Sequence, residues 1–314
     1  MRTDTSSQQK ITPYLWFDDQ AEEAANFYVS TFSAIAGSAT DDKTSQIGNV
    51  TRYGEAAAEV SGKPAGTAMT VEFQLDGQKF VALNGGPEFN FTPAISFFVS
   101  CQTESEVDAL WETLSDGGEV LMPLGQYPFS EKFGWLNDAY GVSWQLNLAP
   151  SPQKITPFLL FVGEQQGKAE AAANFYSSLF ENSGIATIQR YGPGHGEPEG
   201  TLMHGRFFLA GQDFMAMDSG QEHNFTFTEA ISFLVSCENQ EEVDELWQKL
   251  TEGGEEGPCG WLKDKYGVSW QIVPTALMEM LADEDAARAE RVTEAMLKMK
   301  KIDIEGLQKA YAAG

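Results

Sequence analysis

The chain has 314 residues, with 46 acidic side chains against 20 basic ones, a formal charge of −26 and a pI near 4.3. A polyanion of this density repels phosphate, and the only Lys-rich cluster is Lys298-Met299-Lys300-Lys301, so general nucleic-acid binding is excluded. No apolar run approaches the ~20 residues that span a bilayer. The polar start, Met1-Arg2-Thr3-Asp4-Thr5-Ser6-Ser7, has no apolar leader segment, so a soluble cytoplasmic protein is expected.

Hydrophobic residues at 42% and aromatics at 12% are enough to bury substantial cores over roughly two domains. Cys101, Cys237 and Cys259 lack the short spacing of a zinc or redox site and read as reduced packing residues.

In chain order, residues 14–17 read as a short aromatic strand. Residues 21–32 read as a helix with Ala24, Phe27, Tyr28 and Phe32 on one face. Strand-like runs follow at 47–53, 68–75 and 79–83, the last two joined by the hairpin turn Asp76-Gly77. A second set begins with a strand at 94–100. It continues with a helix at 104–114, whose stripe is Val107, Leu110, Trp111 and Leu114, stopped by Gly117-Gly118, and ends on a strand at 142–148.

The whole pattern then recurs. Lys10-Ile11-Thr12-Pro13 returns as Lys154-Ile155-Thr156-Pro157, and Ala24-Ala25-Asn26-Phe27-Tyr28 as Ala172-Ala173-Asn174-Phe175-Tyr176. The two copies close on Tyr140-Gly141-Val142-Ser143-Trp144-Gln145 and Tyr266-Gly267-Val268-Ser269-Trp270-Gln271. A unit this long is a domain rather than a solenoid repeat, so the chain reads as a tandem duplication. The expected division is an N-terminal tail at 1–9, domain one at 10–149, domain two at 150–275 and a helical tail at 276–314. The linker is Ala149-Pro150-Ser151-Pro152-Gln153. The tail's apolar positions are Leu277, Met280, Leu281, Val292, Met296 and Met299. They suit either intramolecular packing or a homodimer contact.

Four motifs together resemble the PhnB-like branch of the vicinal oxygen chelate (glyoxalase/bleomycin-resistance) superfamily, whose members often carry the label 3-demethylubiquinone-9 3-methyltransferase. They are Ile11-Thr12-Pro13 with Ala25-Asn26-Phe27-Tyr28; Phe89-x-Phe91-x-x-Ala94-Ile95-Ser96-Phe97; Asp138-x-Tyr140 through Gln145; and Met299-Lys300-Lys301-Ile302-Asp303-Ile304. The resemblance covers 10–148, 154–274 and the tail. It implies an α+β fold of tandem glyoxalase-like domains, each of two βαβββ modules forming a half-open barrel around a cavity. Two such domains in one chain would form an internal pseudo-dimer. The methyltransferase label finds no support in the residues, because no Gly-rich turn follows a parallel first strand.

Enzymes of that superfamily hold a metal on the first and last strand of each module. The matching positions here are Thr12 and Thr156, Gln145 and Gln271, with Asn84 and Ala94 inside copy one and Asp218 and Ala230 inside copy two. Hydroxyl and amide oxygens hold a divalent metal weakly, so neither metal nor cofactor is expected, and Asp218 marks the better of two poor sites.

The alternative is a metal-dependent lyase, isomerase or dioxygenase. A second alternative is a structural protein with filled barrels. The favoured reading is a polar-ended aromatic pocket for a small organic molecule, built from Thr12, Tyr14, Trp16, Asn84, Ser96 and Gln145, and from Thr156, His204, Asp218, His223 and Gln271. Taken singly, each ring among them reads first as core packing. His195 sits in a Gly/Pro-rich loop and is read as solvated. Since His204, Asp218 and His223 all belong to residues 154–274, that half is expected to be the working one. The excess at 121–129 of copy one is expected to act as a loop partly plugging the first cavity.

Overall fold

The computed structural model describes residues 9–35, 44–151 and 153–313. Residues 1–8 of the N-terminal tail and Pro152 of the linker lie outside the described residues. The elements form four modules. The first is β1 (Ile11–Phe17), α1 (Ala21–Ile35), β2 (Gln46–Arg52), α2 (Glu55–Ser61), β3 (Ala68–Leu75) and β4 (Gln78–Asn84). The second is β5 (Ile95–Cys101), α3 (Glu104–Ser115), β6 (Glu119–Tyr127), β7 (Ser130–Asn137) and β8 (Ser143–Leu148). The third is β9 (Ile155–Phe161), α4 (Ala169–Ser177), β10 (Gly184–Arg190), β11 (Leu202–Leu209) and β12 (Gln212–Asp218). The fourth is β13 (Ile231–Cys237), α5 (Gln240–Thr251), β14 (Glu255–Glu256), β15 (Trp261–Lys263) and β16 (Ser269–Pro274). The tail forms α6 (Thr275–Leu281), α7 (Ala286–Met296) and α8 (Ile304–Ala312).

The helix ends follow local chemistry. Thr103 accepts the Glu106 N–H at the start of α3, and Asn239 accepts the Glu242 N–H at the start of α5, so each pays out one side-chain oxygen to an otherwise orphaned first-turn donor. At the β3–β4 hairpin, Asp76 and Gly77 have φ of 46° and 86°, which is the left-handed pair a two-residue hairpin turn needs.

Two eight-stranded sheets result, neither closed into a barrel. Sheet one has the order β14-β15-β16-β13-β1-β4-β3-β2, and sheet two β10-β11-β12-β9-β5-β8-β7-β6. Each sheet therefore joins one module from each copy of the repeat, across an antiparallel seam. β1 meets β13 in sheet one, with Tyr14 opposite Ser232, and β5 meets β9 in sheet two, with Phe158 opposite Ser96. The boundary between repeats does not coincide with the boundary between sheets.

Alternation along the strands separates two faces. In β1 the buried positions Ile11, Leu15 and Phe17 turn toward the helices, while Thr12, Tyr14 and Trp16 share the opposite face. The helix side of both sheets, with α1, α3, α4 and α5, shares one continuous apolar core. Two carboxylates knit the layers together. Asp138, beside β8 of sheet two, accepts from Tyr28 of α1 at 2.8 Å and from Trp144 at 2.8 Å. Asp264 does the same with Tyr176 of α4 at 2.8 Å and Trp270 at 2.9 Å. Since α1 packs on β3 of sheet one, each carboxylate ties a helix on one sheet to a strand of the other.

Two sequence expectations change here. The stretch 121–129 is not a plug: most of it is β6, an edge strand paired with β7. Pro123 is tolerated there because an edge strand need not donate every N–H. The helix α2 was not legible in the sequence; it packs against α7 of the tail, where Glu290 accepts the Ala56 N–H.

Candidate ligand-binding face

The face of each sheet turned away from α1, α3, α4 and α5 is called here the far face. Strand register places its residues in rows that correspond between the sheets. In sheet one a row runs Glu72, Val81, Tyr14, Ser232. The equivalent row of sheet two runs Arg206, Met215, Phe158, Ser96. The next row is Thr12, Leu234, Gln271, Trp261 in sheet one and Thr156, Phe98, Gln145, Trp135 in sheet two.

This arrangement corrects the grouping expected from the repeat. Thr12 shares its row with Gln271, and Thr156 with Gln145, because each sheet is assembled across the copies. Each Gln is buried and donates to the serine of the neighbouring row, Gln145 to Ser96 at 2.8 Å and Gln271 to Ser232 at 3.0 Å.

Asn84 and Asp218 leave the pocket altogether. They pair with Phe17 and Phe161, residues of the helix-side core, and so take that parity. Asn84 accepts the Ala21 N–H at 2.7 Å, and Asp218 accepts the N–H groups of Gly167 at 2.7 Å, Ala169 at 3.1 Å and Leu202 at 2.9 Å. Both side chains are taken up by backbone donors at helix starts, and Asp218 also by the first N–H of β11. Burial pushes the Asp218 carboxyl up from its ordinary range, against the opposing pull of those backbone donors.

The far faces differ in what covers them. In sheet one Tyr14, Leu234 and Val273 pack in one cluster with Leu277, Met280, Val292, Ile302 and Leu307 of the tail. The tail's apolar positions are thus spent inside the chain. Trp16 donates to the Gly86 carbonyl at 2.8 Å and stacks edge-on against Phe89 and Trp261. Burial, followed by the nearby Tyr53 and Glu72, drives the Tyr14 hydroxyl well above its usual range.

In sheet two the far-face cluster is Phe158, Leu160, Val162 and Met215, flanked by the half-buried Phe98, Trp135, Met217 and Phe225, all from the sheet itself or its loops. Rings cross this sheet as a ladder. His204 lies 6.5 Å from Phe158, Phe158 is 6.5 Å from Phe98, Phe98 is 6.4 Å from Phe133, and Phe133 is 5.1 Å from Phe129. The last ring, Phe129, is 67% exposed. Trp135 donates to Ser143 at 2.8 Å, which fixes its indole on the same face.

His204 is the one imidazole on this ladder. Burial, and secondarily the positive Arg206, hold its pKa below the ordinary 6.5. Its neutral form is favoured by folding, so the stability it contributes is complete above the ordinary histidine value and is lost as pH falls through the depressed folded value. The expected result is a flatter stability-versus-pH curve below pH about 6.5 for His204→Gln than for the natural chain, measured by urea unfolding. Parallel curves would contradict it.

His223 bonds Ser219 at 3.0 Å and lies 4.9 Å from the Phe225 ring. With Glu88, Phe89 and Asn90 it lines a cleft of about 580 Å³ between two corresponding loops, which are stitched by Thr92 to Thr226 and Thr228 to Asn90. His195 is exposed and bonded to its own loop at Gly192. A second cleft of about 770 Å³, beside Phe27, Glu112 and Tyr140, contains none of the candidate ligand-binding residues.

The donor set on the far face does not fit a divalent metal. Sheet two offers the Thr156 hydroxyl, a Gln145 amide already engaged with Ser96, and one imidazole, with no carboxylate among the row positions. Among the described residues no group of three or more His, Cys, Asp or Glu side chains comes together. What sequence reading missed was the role of Asp138 and of its counterpart Asp264. The signal was present: Asp-x-Tyr-Gly-Val-Ser-Trp occurs in both copies, each with a buried Tyr one helix away.

Paired βαβββ modules assembled into two open sheets define a tandem glyoxalase-superfamily fold. Glyoxalase I from Zea mays shares that fold at a TM-score of 0.53, with 10% identity over 88% of this chain and 98% of its own. The family model described as 3-demethylubiquinone-9 3-methyltransferase matches residues 9–147 and 153–273, and the chain belongs to that family. A PhnB protein from Bacillus cereus, described under the same methyltransferase name, is 47% identical over 45% of this chain and 100% of its own, at a TM-score of 0.38. A protein from Staphylococcus aureus is 32% identical over 46% of this chain and 99% of its own, with a TM-score of 0.18. No curated protein matches the chain. Among the described residues no helix is long and apolar enough to cross a membrane.

Proposed function

We propose that the chain binds a small, flat, largely apolar organic molecule on the far face of sheet two, and that the far face of sheet one serves as a scaffold for the tail. The ladder from His204 to Phe129 carries this reading. Rings at 5.1 to 6.5 Å spacing, half-buried at His204 and Phe98 and exposed at Phe129, backed by the buried Phe158 and Phe133 and with a few fixed polar groups beside them, offer stacking area and orientation in one place. At the corresponding positions of sheet one Tyr14 and Leu234 pack with the tail helices and offer less.

The test is a titration of the intact chain with naphthalene-2-carboxamide, followed by tryptophan fluorescence. Phe98→Ala is expected to weaken binding about tenfold, the value of one aromatic contact, and Tyr14→Ala to leave it within about twofold. Loss of binding in Tyr14→Ala with none in Phe98→Ala would place the ligand on the other sheet and overturn the reading.

A further inference from the structure

The two sheets carry matching rows, yet one carries Glu72 where the other carries Arg206. The substitution is a full reversal of charge at one structural position, in a chain whose net charge is −26. Arg206 stands on the far face of sheet two, next to Met215 and two residues from His204 on the same side of β11.

Its hydrogen bonding is incomplete. One terminal nitrogen reaches Asp213 at 3.4 Å, a long contact in which both side chains remain substantially exposed. Its Nε–H is shielded from water and has no acceptor among the described residues. A guanidinium N–H buried without an acceptor is unfavourable unless something supplies one, and a carboxylate matches the guanidinium fork in two parallel bonds. The ring ladder begins beside it, because Met215 separates Arg206 from Phe158 within one row.

We infer that the ligand of sheet two is an aromatic monocarboxylate, its ring laid along Phe158 and Phe98 and its acid group received by Arg206 with His204 alongside. This rests on the far-face reading above and deepens it by naming the ligand class. His204, kept neutral by its surroundings, can donate to the acid or accept from a hydroxyl next to it. Asp213 is the group the ligand's acid must displace or share. The corresponding position of sheet one, with Glu72 near the Tyr14 hydroxyl, would repel the same ligand.

The experiment compares naphthalene-2-carboxylate with naphthalene-2-carboxamide on the full chain by calorimetry at fixed ionic strength. The natural chain is expected to prefer the carboxylate by about tenfold or more, as for a hydrogen bond to a charged group. Arg206→Gln should erase that preference while holding the carboxamide affinity. Arg190→Gln, which removes an exposed arginine paired with Glu170, should keep the preference and so controls for net charge. Equal affinity of the natural chain for both probes, or a preference that survives Arg206→Gln, would overturn the inference while leaving the far-face site standing. Binding of neither probe would overturn the far-face reading itself. The comparison on the natural chain needs no variant to fold.

Discussion

Asp138→Ala and Asp264→Ala are each expected to destabilise the fold by about 3–5 kcal/mol, as measured by the urea midpoint at constant m-value. Each carboxylate is buried and receives four donors. For Asp138 these are the Tyr28 hydroxyl, the Trp144 indole and the N–H groups of Tyr140 at 2.9 Å and Val142 at 3.0 Å. Asp264 has the same four from Tyr176, Trp270, Tyr266 and Val268. Alanine strands all four donors in a buried site, and the loss of each is worth about 1–3 kcal/mol before relaxation. Asn in the same place keeps one acceptor oxygen and should cost about half as much. Asp244→Ala is the comparison: its partner Lys301 is on the surface, where such pairs are worth about 0–1 kcal/mol. A buried-Asp variant no less stable than Asp244→Ala would show that the two sheets do not depend on these ties.

The tail carries the second large effect. Ile302 and Leu307 are fully buried in the cluster that joins the tail to Leu234 and Val273 of sheet one. Ile302→Ala and Leu307→Ala should each cost about 2–5 kcal/mol, the usual result of emptying a fully packed aliphatic site. Met278→Ala, on the outward side of α6 and 44% exposed, should cost less than about 0.5 kcal/mol. Near-neutral behaviour of both buried variants would mean that the tail merely rests on the sheet. The same pair should raise binding of a hydrophobic dye, since loosening the tail uncovers Tyr14 and its neighbours.

The sequence carried much of this because the repeat is strong and the alternation clean. The parity of Thr12, Tyr14 and Trp16, the hairpin at Asp76-Gly77 and the helix stripes all follow from local periodicity. Local periodicity is silent on which module pairs with which. A tandem repeat invites pairing within a copy, whereas the antiparallel seams β1–β13 and β5–β9 join modules across the copies. That single long-range choice moved Gln145 away from Thr12. Asn84 and Asp218 were misplaced for a different reason: each sits at the last position of its strand, beside the start of an earlier helix of the same module, α1 or α4, which competes for a polar side chain. The edge strand β6 escaped notice because Pro123 and Gly125 interrupt its pattern.

The most direct test of the account is the number of neutral aromatic molecules one chain takes up. Calorimetric titration of the intact protein with naphthalene-2-carboxamide should give one site per chain, because the tail occupies the far face of sheet one and the ring ladder of sheet two remains available. Two equivalent sites per chain, or none, would contradict it.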